Sequence, residues 1–365
     1  MRILHLIYDH PENPWVGGGG AIRALELNRR LQARGHVVTV LSGAFPGASD
    51  GILDGLEFRF TGSASGYIRS TLTFAYMACR YARAHAGEFD IVVEDFAPWN
   101  PVFSYRLVRP PAVLHVNHCE GLNILKRRPL SGLPFFLIEK YYPPRFSHVT
   151  ALSEWTRRKV GVENSFVLPA GIGADLVEEG RSSALPQAER EDYVVYLGRL
   201  EINNKGLDTL VDAARKLGGI RILVAGRGRD ERRLRDMASG LPVEFLGFVT
   251  EKEKRNLLRK ASLFVLPSRF EGWGISVLEA AAFGTPAVVS DIPELGYALE
   301  GGFGRSFRTG DPEDLARVMG GLYSDRGALG SMGLRGVEFA SSHNWDSIAL
   351  VYEKYLQGIV SAGVN

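Results

Sequence analysis

The most constraining feature of the sequence is a strand–glycine–helix–strand pattern in its second half. Ser262–Pro267 is an apolar run of the kind that forms a buried strand. After Gly272 and Gly274, residues Ile275–Phe283 contain good helix formers and no helix breaker, and Ala287–Ser290 is a further apolar run. Two strands joined by a helix form a βαβ unit, so the pattern predicts a parallel sheet with helices on its faces.

Two carboxylates, Glu271 and Glu279, stand on either side of this glycine turn and helix start. A helix N-terminus after a glycine turn offers unpaired N–H groups and the positive end of a dipole, which suit a phosphate. Glu279 lies about five residues into the helix, roughly 7 to 8 Å from its start, which is about the distance from the ribose of a nucleotide to its distal phosphate. The spacing therefore predicts one carboxylate near a ribose, the other near a sugar, and a diphosphate between them.

The same alternation of apolar runs and helical patterns covers most of the chain. In the first half the predicted strands are Arg2–Tyr8, His36–Leu41, Ile91–Val93, Ala112–Val116, Val149–Leu152 and Phe166–Leu168, with a helix over Ala21–Arg34. In the second half they are Tyr193–Leu197, Arg221–Ala225, Val243–Leu246, Leu263–Leu266 and Ala287–Ser290. This rhythm predicts α/β architecture with two doubly wound, mainly parallel sheets.

The polar, breaker-rich segment Gly173–Glu191 separates the two halves and is predicted to be a linker. The predicted boundaries are therefore a first domain over 1–173, a linker over 174–191 and a second domain over 192–343. The last segment, 344–365, is predicted to be an amphipathic helix, with an apolar stripe of Trp345, Ile348, Val351, Tyr352 and Leu356.

Composition excludes several classes of protein. The 365 residues suit two domains, and a hydrophobic fraction of 45% with 23% charged residues is typical of globular proteins. A net charge of +2 argues against a dedicated nucleic-acid-binding protein. Cys79 and Cys119 have no metal-ligand spacing and are predicted to be free thiols. The first apolar run is too short for a signal peptide and no run approaches the ~20 residues of a membrane span, so we expect a cytoplasmic protein.

A second segment with candidate ligand-binding residues is Tyr196–Asp208, in which a predicted buried strand is followed by Arg199 and Lys205. Two cations at the carboxyl end of a strand suit a diphosphate, because arginine offers a planar fork and lysine a mobile point charge. Two such cations can neutralise a diphosphate in place of a metal ion. The sequence has no Asp-x-Asp pair to hold Mg²⁺, so we predict no metal and no cofactor.

These segments resemble a known family. The residues P-S-R-F-E-G-W-G-I-S-V-L-E-A-A-A-F-G-T-P-A-V, together with Gly198-Arg199 and Lys205-Gly206, resemble the signature of retaining glycosyltransferases of the GT-B fold, specifically glycosyltransferase family 4. The resemblance implies two Rossmann-like domains facing a cleft, with the last helix crossing back to the first domain. It also implies metal-independent transfer of a sugar, with retention, from a nucleotide-diphosphate sugar, a UDP- or GDP-sugar, to a hydroxyl acceptor.

The resemblance also assigns residue roles. The donor-binding residues that it implies are Gly18, Gly19, Arg199, Lys205, Gly226, Phe248, Glu271, Gly272, Trp273, Gly274, Ile275, Ser276 and Glu279. The catalytic group would be Arg199, Lys205 and Glu271, with a residue of the first domain at Asn117 or His118. The family usually ends a strand there in a histidine; aligning Pro111 and Gly121 puts Asn117 in its place. We favour His118 as the cleft residue, with Asn117 next.

The acceptor side is expected in the first domain. The glycines Gly17–Gly20 let the backbone approach a ligand closely, and the polar stretch that precedes them argues against a dinucleotide-binding fingerprint. The other candidate acceptor-binding residues are Arg23, Glu94, Asp95, Trp99 and His115. The expected acceptor is a glycan, a lipid-linked molecule or a small molecule.

Two questions stay open at the level of sequence. Lys126–Tyr142 joins a basic cluster to an apolar helix, which is either a surface for a lipid-linked acceptor at the inner membrane face or a core helix beside a basic loop. The alternatives to sugar transfer are another GT-B activity, a nucleotide-sugar epimerase or a phosphorylase, and a non-catalytic sugar-nucleotide-binding subunit.

Overall fold

The structure is a computed structural model that describes residues 1–16, 18–122, 124–125 and 129–363. It separates into two compact units. Unit 1 is Met1–Ala170 together with the C-terminal segment that starts at Trp345, and unit 2 is Gly171–Asn344. Cys79 and Cys119 are both free thiols.

Unit 1 contains an eight-stranded sheet with helices on both faces. Its strands are β1 (Arg2–Leu6), β2 (Val37–Gly43), β3 (Gly51–Leu53), β4 (Leu56–Thr61), β5 (Ile91–Asp95), β6 (Ala112–Val116), β7 (His148–Ala151) and β8 (Phe166–Val167). Its helices before unit 2 are α1 (Gly19–Ala33), α2 (Tyr67–His85), α3 (Ser104–Leu107), α4 (Leu133–Tyr141) and α5 (Glu154–Val160). The strand order is β3-β4-β2-β1-β5-β6-β7-β8, parallel except for β3 against β4.

Unit 2 contains a six-stranded, fully parallel sheet. Its strands are β9 (Glu191–Leu197), β10 (Arg221–Ala225), β11 (Val243–Gly247), β12 (Ala261–Leu266), β13 (Ala287–Ser290) and β14 (Gly304–Phe307), in the order β11-β10-β9-β12-β13-β14. Its helices are α6 (Ala174–Ser183), α7 (Ile202–Lys205), α8 (Leu207–Ala214), α9 (Glu231–Met237), α10 (Glu251–Lys260), α11 (Ile275–Ala282), α12 (Gly296–Glu300), α13 (Pro312–Ser324) and α14 (Arg326–Ser342).

The predicted linker over 174–191 is corrected by the structure. Residues 174–183 form α6, and β9 already begins at Glu191. Leu176 and Gly180 of α6 are buried, and a Cβ on Gly180 would lie 2.3 Å from the carbonyl oxygen of Ala282. The polar composition of this segment therefore reflects the exposed face of a packed helix and not a free connection.

The last helix, α15 (Trp345–Ala362), packs in unit 1 against α1. Four of the five predicted stripe residues are buried: Trp345, Ile348, Tyr352 and Leu356. Val351 is 49% exposed, so its place in the stripe is wrong; Ala349 and Ile359 are buried on that side. Among the described residues no helix is long and apolar enough to cross a bilayer.

In each sheet the order in which the chain adds strands reverses once. The strand ends on either side of that reversal mark the candidate site of the unit. In unit 2 the chain runs from β9 outward through β10 and β11, then returns to β12 on the other side of β9. In unit 1 the corresponding neighbours are β1 and β5. Ligands of open α/β sheets bind at the carboxyl ends of the strands at such a switch point.

Candidate functional site

The switch point of unit 2 brings together the two segments that the sequence singled out. The segment after β9 contains Arg199 and Lys205, and the segment after β12 contains Glu271. The carbonyl oxygen of Asn204 accepts hydrogen bonds from the N–H groups of Arg269, at 2.8 Å, and Phe270, at 3.2 Å. The two segments therefore form one connected surface.

Gly206 allows this close approach. Its φ of +62° lies in the left-handed region, and a Cβ there would sit 2.0 Å from the carbonyl oxygen of Pro267. No side chain fits at that distance, so a glycine is needed where the segment after β9 meets the segment after β12.

Lys205 and Glu271 contact each other directly. The Lys205 ammonium forms an ion pair with Oε1 of Glu271, and the Ser268 hydroxyl donates to the same oxygen at 2.8 Å. Both side chains are largely buried, with exposures of 15% for Lys205 and 9% for Glu271. The pair holds a cation and an anion in fixed positions at the strand ends. Arg199 differs, because its side chain is 69% exposed and lies 3.1 Å from Glu201.

Glu279 has a partner that the sequence did not reveal. Nζ of Lys254 on α10 lies 2.7 Å from Oε1 of Glu279 and 2.9 Å from the more exposed carboxylate of Glu251. Burial raises the pKa of Glu279, and Lys254 opposes that rise. Burial lowers the pKa of Lys254, but Glu279 and Glu251 outweigh it, so that this pKa is raised. The ammonium thus favours the ionised form of Glu279.

The turn before α11 has the form that the sequence predicted. Gly274 is the N-cap, with φ of +74°, and the helix begins at Ile275 and Ser276. The hydroxyl of Tyr297 donates to the carbonyl oxygen of Gly274 at 3.0 Å. The indole of Trp273 is buried and stacks on Tyr297 at 4.5 Å. A contact between Trp273 and a ligand would therefore come from its backbone, as it would for Gly272.

The remaining predicted donor residues follow β10 and β11. Gly226 has φ of +137°, and a Cβ there would lie 1.9 Å from the carbonyl oxygen of Gly198, so this glycine lets two strand ends pack together. Phe248 is 69% exposed, and the guanidinium of Arg227 lies 5.8 Å from the centre of its ring. Its exposed aromatic face is available for stacking.

The switch point of unit 1 contains a buried polar network that centres on Asp95. The amide of Asn117 donates to Asp95, and its oxygen accepts from Nη1 of Arg23 at 3.0 Å. Nη2 of Arg23 donates to the carbonyl oxygen of Leu168 at 2.9 Å. Arg23 is only 3% exposed, so its charge is held inside the unit near Asp95. Through its hydrogen bond with Arg23, Asn117 is connected to α1. The next residue, His118, is partly buried.

Two histidines lie beside Asp95, and one of them, His5, is hydrogen-bonded to it. Nε2 of His5 lies 2.5 Å from Oδ2 of Asp95, and Nδ1 of His115 lies 3.7 Å from the same oxygen. Burial raises the pKa of Asp95, but the neighbouring His115 and His5 outweigh it and hold this pKa well below its usual range. Burial lowers the pKa of His115 to about 4, so this ring is neutral at physiological pH.

His5, Asp95 and His115 form the one group of the described residues whose ligand atoms lie close enough together, all within 4.8 Å of one another, to be tested as a metal site. The His5–Asp95 contact is a hydrogen bond shorter than usual, with no room for an ion between the two atoms. Nitrogen and oxygen ligands at ~2.1 Å from a zinc ion would be separated by about 3 Å or more. In addition, Nδ1 of His5 already contacts the amide of Asn28 at 2.7 Å. Hydrogen bonds therefore occupy both ring nitrogens of His5, which does not fit a metal ligand, whereas the two ring nitrogens of His115 are buried and have no hydrogen-bond partner among the described residues.

Asp9, which follows β1, was missed as a candidate. Its Oδ2 atom lies 3.5 Å from the position that a Cβ on Gly20 would occupy, and the amide nitrogen of Asn117 lies 3.7 Å from that position. Burial and the nearby Asp95 carboxylate raise the pKa of Asp9 to about 7. Its place directly after the predicted strand Arg2–Tyr8 was the signal that could have identified it.

The burial of Arg23, Glu94 and His115 contradicts three predicted acceptor contacts, and the others stay predictions. Glu94 is 1% exposed, and its carboxylate accepts hydrogen bonds from the N–H groups of Val102 and Ser104 and from the hydroxyl of Tyr142. His115 is likewise 1% exposed, inside the unit. Neither side chain is available to an acceptor. Trp99 is 42% exposed. Gly18 is the N-cap of α1 and Gly19 its first residue, and Gly17 lies outside the described residues.

Comparisons with known proteins found matches in both units. The family described as "Glycosyl transferases group 1" matches residues 191–325, and "Glycosyltransferase Family 4" matches residues 17–169. The phosphatidyl-myo-inositol mannosyltransferase of Mycobacterium leprae is 25% identical, over 95% of both chains. The GDP-mannose-dependent alpha-(1-6)-phosphatidylinositol dimannoside mannosyltransferase of Mycobacterium tuberculosis is 32% identical over 36% of this chain and 37% of its own.

Among solved structures, the sucrose-phosphate synthase of Thermosynechococcus elongatus superposes with a TM-score of 0.80 over 99% of this chain and 100% of its own, at 20% identity. This likeness, with the two Rossmann-like sheets, confirms the predicted GT-B fold. The two family matches cover both units and include the segments that carry Arg199, Lys205, Glu271 and Glu279. The chain is therefore an enzyme of glycosyltransferase family 4 that uses a nucleotide sugar.

Proposed function

We propose that this enzyme transfers a sugar, with retention and without a metal ion, from a GDP- or UDP-sugar to a hydroxyl group of a lipid-linked acceptor. The observation that supports binding of the nucleotide-sugar donor is the Lys205–Glu271 pair at the switch point of unit 2. GDP-mannose is the first donor to test, and phosphatidylinositol the first acceptor, because the names of two relatives specify mannosyl transfer to phosphatidylinositol lipids.

The proposed chemistry follows from the charges at the strand ends. Arg199 and Lys205 would neutralise the diphosphate as it leaves, aided by the N–H groups at the start of α11. If the diphosphate binds the Lys205 ammonium, that ammonium contacts both the diphosphate and Glu271. The Glu271 carboxylate would then lie beside the sugar that the diphosphate carries. Glu279, whose ionised form is favoured by Lys254, would accept hydrogen bonds from the ribose hydroxyls.

The test is a transfer assay with a panel of GDP- and UDP-sugars, in which release of the nucleoside diphosphate and glycosylation of the lipid are both measured. Lys205→Ala should reduce turnover by about 10²–10³, as for loss of a group that stabilises developing negative charge. Arg229→Ala is the matched control, since Arg229 is an exposed arginine after the neighbouring strand β10. EDTA should leave the rate unchanged, and NMR of the product should show the anomeric configuration of the donor.

Three outcomes would contradict the proposal. An inverted product would exclude retention. Loss of activity on chelation, restored by Mg²⁺ or Mn²⁺, would exclude the role given to the cations. An isomerised donor, or cleavage that depends on phosphate, would indicate an epimerase or a phosphorylase.

A further inference from the structure

Helix α2 carries an apolar stripe that faces outward. Ile68, Leu72 and Tyr76 follow each other at intervals of four residues and therefore lie on one side of the helix. Their exposed fractions are 73%, 62% and 64%. The opposite side is buried in the core of unit 1 through Phe74 and Ala78. The helix thus has one apolar side that packs in the core and a second that is largely exposed.

Helix α4 repeats this pattern. Leu133, Leu137 and Tyr141 are also spaced by four residues and are 48%, 42% and 55% exposed. The basic cluster Lys126–Arg128, which the sequence placed before this helix, lies outside the described residues. Unit 2 has no comparable stripe among the described residues: its large exposed apolar side chains are Phe248, Leu299 and Leu334, on separate elements.

The two stripes lie on the same side of the sheet. The connections from β4 to β5, β5 to β6 and β6 to β7 all run in one direction across the sheet, and right-handed crossovers therefore place α2, α3 and α4 on one face. Helix α2 packs against α3. The N–H group of Phe103, directly before α3, donates to the hydroxyl of Tyr142, directly after α4, at 2.6 Å. The three helices thus form one continuous layer, which we call the apolar–basic face.

The charges on this face are positive. Arg69, Arg80 and Arg83 of α2, Arg106 of α3 and Lys140 of α4 are exposed, and within the described part of the chain none of them forms an ion pair. The three helices contain one acidic residue, Glu139 of α4. It is buried, and it accepts hydrogen bonds from the N–H groups of Glu120 and Gly121.

We propose that the apolar–basic face docks on an anionic phospholipid surface. Apolar side chains that enter the acyl boundary, surrounded by cations that reach the headgroups, are the pattern of a helix lying in a membrane interface. A second copy of the chain fits less well, because a two-fold interface would place these cations opposite one another. The docking does not depend on the proposed sugar transfer, since the surface is separate from the switch-point residues.

The test is co-sedimentation of the full chain with vesicles of phosphatidylcholine, with and without phosphatidylglycerol. The chain should bind the anionic vesicles and not the neutral ones. Leu72→Glu should weaken binding by about tenfold or more, the effect of keeping one leucine from an apolar phase. The triple variant R69Q/R80Q/R83Q should weaken binding to anionic vesicles by about fivefold per cation removed, and this binding should depend less on salt. Leu334→Glu, at a 77% exposed leucine of unit 2, should bind as the wild type does.

Leu72 is exposed, so the variant should fold; circular dichroism and nucleotide binding check this without any transfer assay. Equal binding of wild type and Leu72→Glu to anionic vesicles would overturn the proposal, as would equal binding to neutral and anionic vesicles. A dimer in light scattering that Leu72→Glu converts to a monomer would show that the face binds a second copy instead. Failure of the transfer assay alone would leave this result unchanged.

Discussion

Lys254→Met should make nucleotide binding more sensitive to acid than it is in the wild type. In the wild type, Nζ of Lys254 lies 2.7 Å from Glu279 and favours its ionised form. Burial raises the pKa of Glu279, and in the variant nothing from Lys254 opposes this effect, so the pKa should rise further. Ribose hydroxyls donate hydrogen bonds to a carboxylate, and a protonated carboxyl accepts them less well. Affinity for the free nucleoside diphosphate should therefore fall as the pH is lowered, and fall earlier in the variant.

The size of the effect follows from the exposure of the pair. A hydrogen bond to a charged group contributes about 1.5–3 kcal/mol, which corresponds to about tenfold to 150-fold in a dissociation constant. The side chains of Lys254 and Glu279 are 18% and 16% exposed, so solvent screens the pair in part. We therefore expect a loss near the lower end, about tenfold. Methionine preserves most of the volume of the lysine stem, which limits a packing effect.

The stability of the same variant should change with pH in the opposite sense. The pKa of Glu279 in the folded protein is raised above its unfolded value, so the ionised carboxylate opposes folding above the folded pKa. This cost disappears as the pH falls below the unfolded value of 4.5. Lys254→Met enlarges the cost, so its deficit in melting temperature should be largest at neutral pH and shrink on acidification. The deficit in nucleotide affinity should grow on acidification.

Calorimetry with GDP and UDP across the range from acidic to neutral pH measures the affinity, and thermal unfolding over the same range measures the stability. Lys252→Met is the matched control, because Lys252 is an exposed lysine on the same helix. If Lys254→Met and the control have the same affinity and the same pH dependence, Lys254 does not hold Glu279 for the nucleotide and the reasoning is refuted.

Two further predictions concern single contacts. Arg190→Met should lower the free energy of unfolding by about 3–5 kcal/mol in urea titrations, because the buried guanidinium donates to four backbone carbonyls and to the hydroxyl of Thr285. A loss below ~1 kcal/mol would show that these bonds contribute little. Asn117→Ala should reduce transfer with nucleotide affinity intact, since it disconnects Arg23 from Asp95. An unchanged rate for this variant, together with a reduced rate for His118→Ala, would make His118 the cleft residue.

The meeting of the two candidate donor segments at one edge of the sheet could be predicted because its information is local in the sequence. Each of these segments is a strand followed by a short turn, and the strand ends of a parallel sheet meet at one edge. The positions of Lys205 and Glu271 beside each other follow from that rule, although the residues are far apart in the chain. Lys254 could not be found in this way. It lies within an amphipathic helix whose start is fixed by the Thr250–Glu253 capping box, and nothing in the spacing of α10 distinguishes it from Lys252.

The first unit was predicted less completely because several of its elements lack a strong periodic signal. Strands β3 and β4 and helix α2 were not predicted from the sequence. β3 is short, and β4 carries charged residues between its apolar ones, as does a strand near a sheet edge. In α2 apolar residues occur on both sides of the helix, so no single buried stripe stands out.

The residues that could contact an acceptor depend on which of two neighbouring side chains at a strand end faces which side of the sheet. Composition does not determine this. Successive side chains of a strand point to opposite faces of its sheet, so neighbouring polar residues at a strand end have different surroundings. Glu94 is directed into the helix layer, where it accepts hydrogen bonds from the segment around α3, while Asp95 joins the network of His5 and Asn117. Both carboxylates fit a sugar-binding role by residue type, and only the packing of the neighbouring helices separates them. An acceptor pocket should therefore be sought around Asp9, where Gly20 and Asn117 approach the same point.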